Sequence, residues 1–224
     1  MNDRLLQILI DSFPKILIPG LTVTIPLTAI AFTLAMVIAV AAAMVQFAKV
    51  PVFTQLCRFY IWVFRGTPLL VQLFVVFFGL PDLGIRLEPF PAAVLVFALN
   101  EGAYCAETVR AALEAVPAGQ LEAGYCVGMS YMQTMRRIIL PQAMRTAFPT
   151  LSNSLIAMVK DTSLAANITV VEMFRATEQI NARVYEPLAL YIEVGLIYLL
   201  FSTVLTWIQR AGEKKLSAYE KQEG

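Results

Sequence analysis

The sequence contains no histidine, and only 15% of its 224 residues are charged. Without histidine the chain lacks the side chain that most often binds a metal or acts as a general base near neutral pH, so we expect neither a metal site nor imidazole catalysis. The net charge of +1 provides no excess of positive charge for binding nucleic acid. No two of the three cysteines are spaced as C-x-x-C, so we interpret them as free thiols.

Common catalytic motifs are also missing. The sequence has no G-x-x-x-x-G-K-(S/T), so we do not expect it to bind ATP through a P-loop. It contains neither G-x-S-x-G nor H-E-x-x-H, which argues against an intramembrane hydrolase. We therefore predict that the protein is not an enzyme, has no catalytic residues and binds no cofactor itself.

Long apolar segments dominate what is present, since 58% of the residues are hydrophobic. No charge lies between Lys15 and Lys49, a stretch well above the ~20 residues that cross a bilayer as a helix. Five apolar segments cover residues 16–47, 59–80, 89–113, 147–171 and 187–208. We predict an all-α, polytopic membrane protein with about five transmembrane helices. The absence of an internal repeat or linker predicts a single domain, residues 1–224.

Lysine and arginine are unevenly distributed among the connections between these segments. The first and third connections and the C-terminal tail are richer in these residues than the second connection, and acidic residues offset those of the fourth. Because cytoplasmic connections carry the excess of positive residues, this pattern predicts a cytoplasmic C-terminus and an N-terminus outside.

The third connection, residues 114–145, carries the most informative motif. Glu122-Ala123-Gly124 is followed by Gly128, and then by Ile138-Ile139-Leu140-Pro141. The spacing of the two glycines predicts that they share one helical face and leave a flat surface that another subunit can approach. Leu140-Pro141 is predicted to end the following helix where the chain re-enters the membrane.

This motif resembles the cytoplasmic coupling loop of the permease subunits of ABC importers. An ordinary amphipathic loop is the alternative interpretation. The family usually has alanine where this chain has Gly124, a change between two small residues. The resemblance implies that the loop binds a separate ATPase through Glu122, Ala123, Gly124, Gly128, Ile138, Leu140 and Pro141.

Further motifs resemble the permeases that import polar amino acids, and together they cover nearly the whole chain. These motifs are residues 64–74, 79–81, 102–104, 134–142 and 160–164. Two shorter stretches, residues 151–154 and 163–166, are most similar to the cystine-type members. The implied substrate is L-cystine, with arginine, histidine or glutamine as alternatives.

The resemblance also implies an architecture and partners. Such permeases have the type I ABC importer fold with five helices per subunit, and they pair with a second copy or a close paralogue. Two ATPase subunits bind ATP and Mg²⁺ and dock on the coupling loops, while an extracytoplasmic solute-binding protein delivers a small amino acid. The complex lies in the bacterial inner membrane and works by alternating access between two states.

Ionisable residues within apolar segments are candidates for the substrate pathway, because charge at membrane depth is costly and usually functional. Lys160 and Asp161 interrupt the fourth segment. We expect Asp161 to bind a substrate ammonium group, with Thr162 and Ser163 helping to bind the carboxylate. A Lys160–Asp161 cluster that only fixes helix packing is the alternative.

The third segment adds Asn100, Glu101 and Tyr104 as pathway candidates. Glu101 either binds the substrate ammonium or pairs with a cation on another helix, for which Lys160 and Arg65 are the candidates. On the same segment, Glu107 and Arg110 are predicted to form a structural salt bridge at i, i+3.

The sequence Arg65-Gly66-Thr67-Pro68 predicts a break in the second span, because Pro68 removes a backbone donor and frees the carbonyl one turn earlier. Either Arg65 and Thr67 line the substrate pathway there, or the break only shapes the contact between permease copies and Arg65 pairs with a carboxylate. An ion-driven transporter that uses Glu101, Glu107 and Asp161 is a further alternative, which the coupling motif and the lack of repeat symmetry disfavour.

Overall fold

The computed structural model describes the backbone of residues 3–220 and the side chains of residues 3–216. Every regular element in this part is helical, which confirms the all-α prediction. The α-helices are α1 (Asp3–Pro19), α2 (Ile25–Phe47), α3 (Pro51–Gly66), α4 (Leu69–Phe74), α5 (Pro89–Ala115), α6 (Gly119–Cys126), α7 (Tyr131–Thr134), α8 (Leu140–Asp161), α9 (Met173–Val184) and α10 (Pro187–Glu220). The predicted domain of residues 1–224 extends beyond the described part at both ends.

Five membrane spans fit the described helices by length and composition, if each bent pair counts as one span. Three are continuous: Asp3–Phe47, Pro89–Ala115 and Pro187–Leu216. The other two are Pro51–Gly66 with Leu69–Leu83, bent by 104°, and Tyr131–Ile168 with Met173–Val184, bent by 53°. Each predicted apolar segment corresponds to one span and is shorter than it, because the helices continue past their apolar parts.

The first span contains a π-helical turn that begins at a glycine. Pro14 and Pro19 lie inside α1, and Gly20–Thr24 forms a π-helical turn that joins α1 to α2. A Cβ on Gly20 would lie only 2.7 Å from the Met173 sulfur and 3.0 Å from the Phe201 ring. This junction therefore packs tightly against α9 and α10, which larger residues at position 20 would prevent.

Small residues let α2 and α5 approach closely at the centre of the molecule. Buried alanines face each other there, among them Ala39 and Ala43 of α2 and Ala103 and Ala106 of α5. A Cβ on Gly102 would lie 2.9 Å from the Tyr60 hydroxyl. Because α5 is held on several sides, the polar side chains that it carries have fixed positions.

The buried Glu172 connects the C-terminal part of the fourth span to the last helix. Its carboxylate accepts hydrogen bonds from the backbone N–H groups of Phe174 at 2.8 Å and Arg175 at 2.7 Å. It also accepts one from the Tyr198 hydroxyl at 2.8 Å. Glu172 is thus the N-cap of α9 and, through Tyr198, a link to α10.

Candidate functional site

The predicted coupling loop folds as two short helices joined by a tight turn. α6 ends at Cys126, and Gly128 takes a positive φ of 78°, a conformation that favours glycine. Ser130 then caps α7. Its hydroxyl accepts from the Gln133 N–H, and the Gln133 side chain accepts from the Ser130 N–H. This reciprocal pair fixes the direction in which the chain leaves the turn.

The expectation that Gly124 and Gly128 share one helical face is wrong. Gly124 is buried inside the loop, where a Cβ would lie 2.5 Å from the Thr134 side chain. Gly128 lies beyond the end of α6, with open space where its Cβ would be. Gly124 therefore packs α6 against α7 and Gly128 makes the turn, so the pair does not form the flat outer surface that the spacing suggested.

The expectation that Leu140-Pro141 ends a helix is also wrong. Met135–Ile139 forms a π-helical turn, and the Leu140 N–H donates to the Met135 carbonyl. α8 then begins at Leu140, with Pro141 in its first turn. Proline is tolerated there because the first N–H groups of an α-helix have no partner within it, so the chain runs from α7 into α8 without a break.

The outer surface of the loop combines a carboxylate with apolar side chains. Glu122 and Ala123 are exposed, and Glu122 has no salt-bridge partner within residues 3–216. Beside them Tyr125, Val127 and Met132 are also exposed, Val127 by 75%. A cluster of exposed large apolar residues in a polar connection indicates a protein contact surface. These three residues were not among the predicted coupling residues. Apolar side chains on both sides of Gly128, in an otherwise polar connection, would have indicated them as contact residues.

The second span breaks at the predicted position, between Gly66 and Leu69. Pro68 has no N–H, so the Phe64 carbonyl loses its helical donor. The side-chain amides of Asn100 and Gln72 replace it, donating to that carbonyl at 3.2 and 2.9 Å. Asn100 also donates to the Gln72 side-chain oxygen at 3.0 Å.

This amide network gives Asn100 and Thr67 a structural role. Both Asn100 and Gln72 are buried, and the Gln72 amide also donates to the Thr67 hydroxyl at 2.9 Å. The Thr67 hydroxyl in turn donates to the Val63 carbonyl at 2.8 Å. Contact of Asn100 or Thr67 with substrate stays a prediction. Gln72 was missed as a functional residue, and its signal was an amide in an apolar segment one turn after a proline.

Next to the break, charges on α3 and α5 compensate one another. The Arg65 guanidinium lies over the Tyr104 ring, 5.3 Å from its centroid, and 3.7 Å from the Glu107 carboxylate. Arg110 contacts the same carboxylate at 3.1 Å and Glu114 at 2.8 Å. The predicted Glu107–Arg110 pair is therefore present, and Arg65 has the carboxylate partner expected for a residue beside a structural kink.

Glu101 lies on the same helix but has a different environment. The Cys105 thiol donates to its carboxylate at 3.4 Å, and the Ser154 side chain of α8 lies nearby. Neither Lys160 nor Arg65 forms a salt bridge with Glu101, so the predicted alternative of a neighbouring cation is not seen within residues 3–216. Instead Asp161 is close enough to repel Glu101 electrostatically.

The remaining pathway candidates lie at the end of α8 and differ in their exposure to solvent. Lys160 and Asp161 are exposed, and Ser163 is partly exposed with its hydroxyl donating to the Lys160 carbonyl at 2.8 Å. Thr162 is fully buried, and its hydroxyl donates to the Val159 carbonyl at 2.6 Å. Thr162 therefore belongs to the packing at the helix end. Neither Glu101 nor Asp161 forms a salt bridge within residues 3–216, although the charge of the neighbouring Lys160 acts on Asp161. Substrate binding by Glu101 and Asp161 stays a prediction.

Residues 31–218 match the family described as the inner membrane component of binding-protein-dependent transport systems. The chain belongs to this family of ABC importer permeases. The match includes the coupling loop, the break in the second span and both members of the carboxylate pair.

Two relatives of this permease come from Bacillus subtilis (strain 168). The L-cystine transport system permease protein TcyB is 44% identical over 210 residues, which cover 93% of this chain and 90% of TcyB. The L-cystine transport system permease protein TcyL is 38% identical over 210 residues, covering 89% and 88%. A solved structure described as an amino acid ABC transporter with histidines is 31% identical, with a TM-score of 0.86, and the match covers 96% of this chain and 100% of that one.

The geometry and these comparisons agree on the class of protein. This permease has the type I ABC permease fold and is the permease subunit of an ABC importer for amino acids. It is a membrane protein, as its apolar spans predict. It is not an enzyme, because ATP hydrolysis in such transporters occurs in separate ATPase subunits.

Proposed function

We propose that this permease imports L-cystine across the bacterial inner membrane. The observation that carries this proposal is that two carboxylates whose charges act on one another, Glu101 and Asp161, form no salt bridge within residues 3–216. Cystine has two ammonium groups, and two such carboxylates offer an acceptor for each of them. Lys160, next to Asp161 and exposed, supplies a cation for a substrate carboxylate. The similarity to TcyB and TcyL supports the same substrate.

Arginine is the second candidate, because the same pair of carboxylates suits it. Its α-ammonium and guanidinium groups are both cationic, so arginine also satisfies Glu101 and Asp161. Glutamine has one cationic group and would leave one carboxylate without a partner. The pair therefore favours substrates with two positive groups over those with one.

In this proposal two copies of the permease, or one copy with a close paralogue, line the pathway. The coupling loop lies in the cytoplasm with the C-terminus, the N-terminus lies outside, and residues 1–224 act as one domain. Each loop docks on an ATPase subunit through Glu122 and the exposed Tyr125, Val127 and Met132. The ATPases bind ATP and Mg²⁺, an external solute-binding protein delivers cystine, and closure of the ATPases switches the permease between its two states.

The substrate is tested by uptake of labelled cystine in cells that lack other cystine transport. The cells express this permease with the ATPase and the binding protein encoded alongside it. Unlabelled cystine, arginine and glutamine serve as competitors. We expect inhibition by cystine alone. If arginine inhibits cystine uptake and labelled arginine is itself taken up, arginine replaces cystine as the proposed substrate.

The energy source is tested in the same cells. Import driven by ATPases stops when ATP is depleted and continues for a short time when an uncoupler removes the ion gradient. The opposite response would identify an ion-coupled transporter and would contradict the role of the coupling loop.

A further inference from the structure

A cavity of about 690 Å³ opens between α2, α3 and α5 at the coupling-loop end of the helices. A second cavity of about 650 Å³ shares Gln46, Lys49 and Glu114 with it and reaches residues 116–118, where the coupling loop begins. Neither Glu101 nor Asp161 lines the first cavity. It is therefore separate from the carboxylate pair, and the function proposed above gives it no role.

The lining of the first cavity has an excess of positive charge. Three cations line it, namely Lys49, Arg58 and Arg110, together with two carboxylates, Glu107 and Glu114. Arg110 contacts both carboxylates, at 3.1 and 2.8 Å. Lys49 and Arg58 form no salt bridge within residues 3–216, although the charge of Arg58 also acts on Glu107. With three cations and two carboxylates, the lining keeps one positive charge in excess. A cavity with this charge favours an anion.

The backbone holds one of these two cations in an uncommon conformation. α2 ends at Phe47, and Lys49 then adopts a positive φ of 53° before α3 begins. Residues with a side chain seldom adopt such values, and these conformations persist where the surrounding structure fixes them. Lys49 is thus set at the mouth of the cavity, in the short turn between two membrane spans.

The cavity continues into an exposed apolar face of α3. Trp62 lines the cavity and is 71% exposed, and the Phe59 ring lies 5.9 Å from it. Leu56 and Phe53 extend the same face toward the start of the helix, and both are more than half exposed. A polar cavity with unpaired cations therefore borders an apolar surface that includes a tryptophan, a residue enriched where membranes meet water.

We propose that this cavity and the apolar face of α3 bind one anionic phospholipid from the membrane leaflet on the coupling-loop side. The phosphate lies between Lys49 and Arg58, and the acyl chains lie along Phe53, Leu56 and Phe59. Basic pockets between membrane helices bind anionic headgroups in this way. A second copy of this chain fits the surface less well, because an isologous contact would bring the same unpaired cations together.

The test measures which lipids stay bound to the full-length permease. The protein is reconstituted in nanodiscs of phosphatidylethanolamine with a minor fraction of phosphatidylglycerol, released into mild detergent, and analysed by native mass spectrometry. We expect phosphatidylglycerol to be enriched over its share of the bilayer. Arg58→Gln and Lys49→Gln should each lower that enrichment about fivefold, and the double variant should abolish it.

Arg86→Gln is the matched control, because Arg86 is exposed in the connection before α5, about 30 Å along that helix from Glu107 and Arg110 in the cavity lining. Arg86→Gln should leave the enrichment of phosphatidylglycerol unchanged. Lys49→Arg keeps the positive charge and should therefore keep the enrichment that Lys49→Gln lowers. No enrichment in the original protein, or equal enrichment in the double variant, overturns the proposal. If inorganic phosphate alone displaces the lipid, the cavity binds a free anion and the proposal is wrong. If the double variant separates permease copies, the surface is a contact between chains and the proposal is also wrong.

Discussion

The middle and the last turns of α5 carry carboxylates in different electrostatic environments. Toward the coupling loop, Glu107 and Glu114 contact Arg110 at 3.1 and 2.8 Å, and Glu107 also lies 3.7 Å from Arg65. Two turns earlier, Glu101 accepts a hydrogen bond from the Cys105 thiol, forms no salt bridge within residues 3–216, and has the like-charged Asp161 nearby. Glutamates on one helix thus differ in whether a cation compensates their charge.

The difference indicates which carboxylates are available to a ligand. A carboxylate in contact with arginine gains little from a further cation, because its charge is already compensated. A carboxylate without a cation in a membrane protein is costly and is kept where another group supplies the missing charge. Glu101 and Glu122 meet this criterion within residues 3–216, and we propose that they bind the substrate and the ATPase, with Asp161 beside Lys160 as the second carboxylate for the substrate. Glu107, by contrast, links α5 to Arg65 of α3, and Glu114 pairs with Arg110 within α5.

The largest effect is expected from reversing the charge of Glu122. Glu122→Arg should reduce uptake by about 100-fold or more, because a like charge at a docking surface costs several kcal/mol. Uptake is measured together with the amount of permease in the membrane fraction, which should not change. Glu122→Gln is the control and should retain part of the activity. Normal uptake by Glu122→Arg would contradict the proposal that this loop binds the ATPase through Glu122.

A second test neutralises the carboxylate pair. Hydrogen bonds to charged groups contribute about 1.5–3 kcal/mol, so Glu101→Gln or Asp161→Asn alone should raise the KM for uptake by at least about tenfold. The combination should raise it by about 100-fold or more, with permease levels unchanged. The concentration dependence of uptake measures this. If Asp161→Asn changes neither KM nor maximal rate, Asp161 only fixes the end of α8.

The spans and the break in the second span were predictable because their causes are local. Apolar runs of sufficient length set the spans, and Pro68 removes a donor whatever surrounds it. The structure confirms both. The start of α9 also has a local cause, since the Glu172 side chain accepts hydrogen bonds from the backbone N–H groups two and three residues after it.

Contacts between distant residues were not predictable from the sequence. Gln72 and Asn100 are 28 positions apart, and only the tertiary fold brings both amides to the Phe64 carbonyl. The prediction that Gly124 and Gly128 share one helical face was wrong for a related reason. A spacing of four residues implies a shared face only while the helix lasts, and α6 ends at Cys126, between Gly124 and Gly128. Which arginines share Glu107 likewise depends on how α3 packs on α5.

A third test removes a paired carboxylate. Glu107→Gln should lower the free energy of unfolding by about 1 kcal/mol, because the pairs that it breaks are partly exposed to solvent. The KM for uptake should stay within about twofold of the original value. The midpoint of thermal unfolding in detergent and the concentration dependence of uptake are the measurements. A rise in KM as large as that for Glu101→Gln would show that pairing with arginine does not distinguish Glu107 from Glu101.

The smallest effect is expected at Glu114, whose side chain is 55% exposed. Its pair with Arg110 is of the i, i+4 type, which contributes about 0.3–0.5 kcal/mol, and the order with arginine first is the less favourable one. Glu114 also lies in the last turn of α5, where a negative charge interacts unfavourably with the helix dipole. Glu114→Gln removes this unfavourable interaction, which offsets part of the free energy lost with the ion pair. We expect almost no change in thermal stability, and any change should disappear at high salt because exposed charges are screened. A large, salt-resistant loss of stability would mean that Glu114 has a buried partner in the assembled transporter.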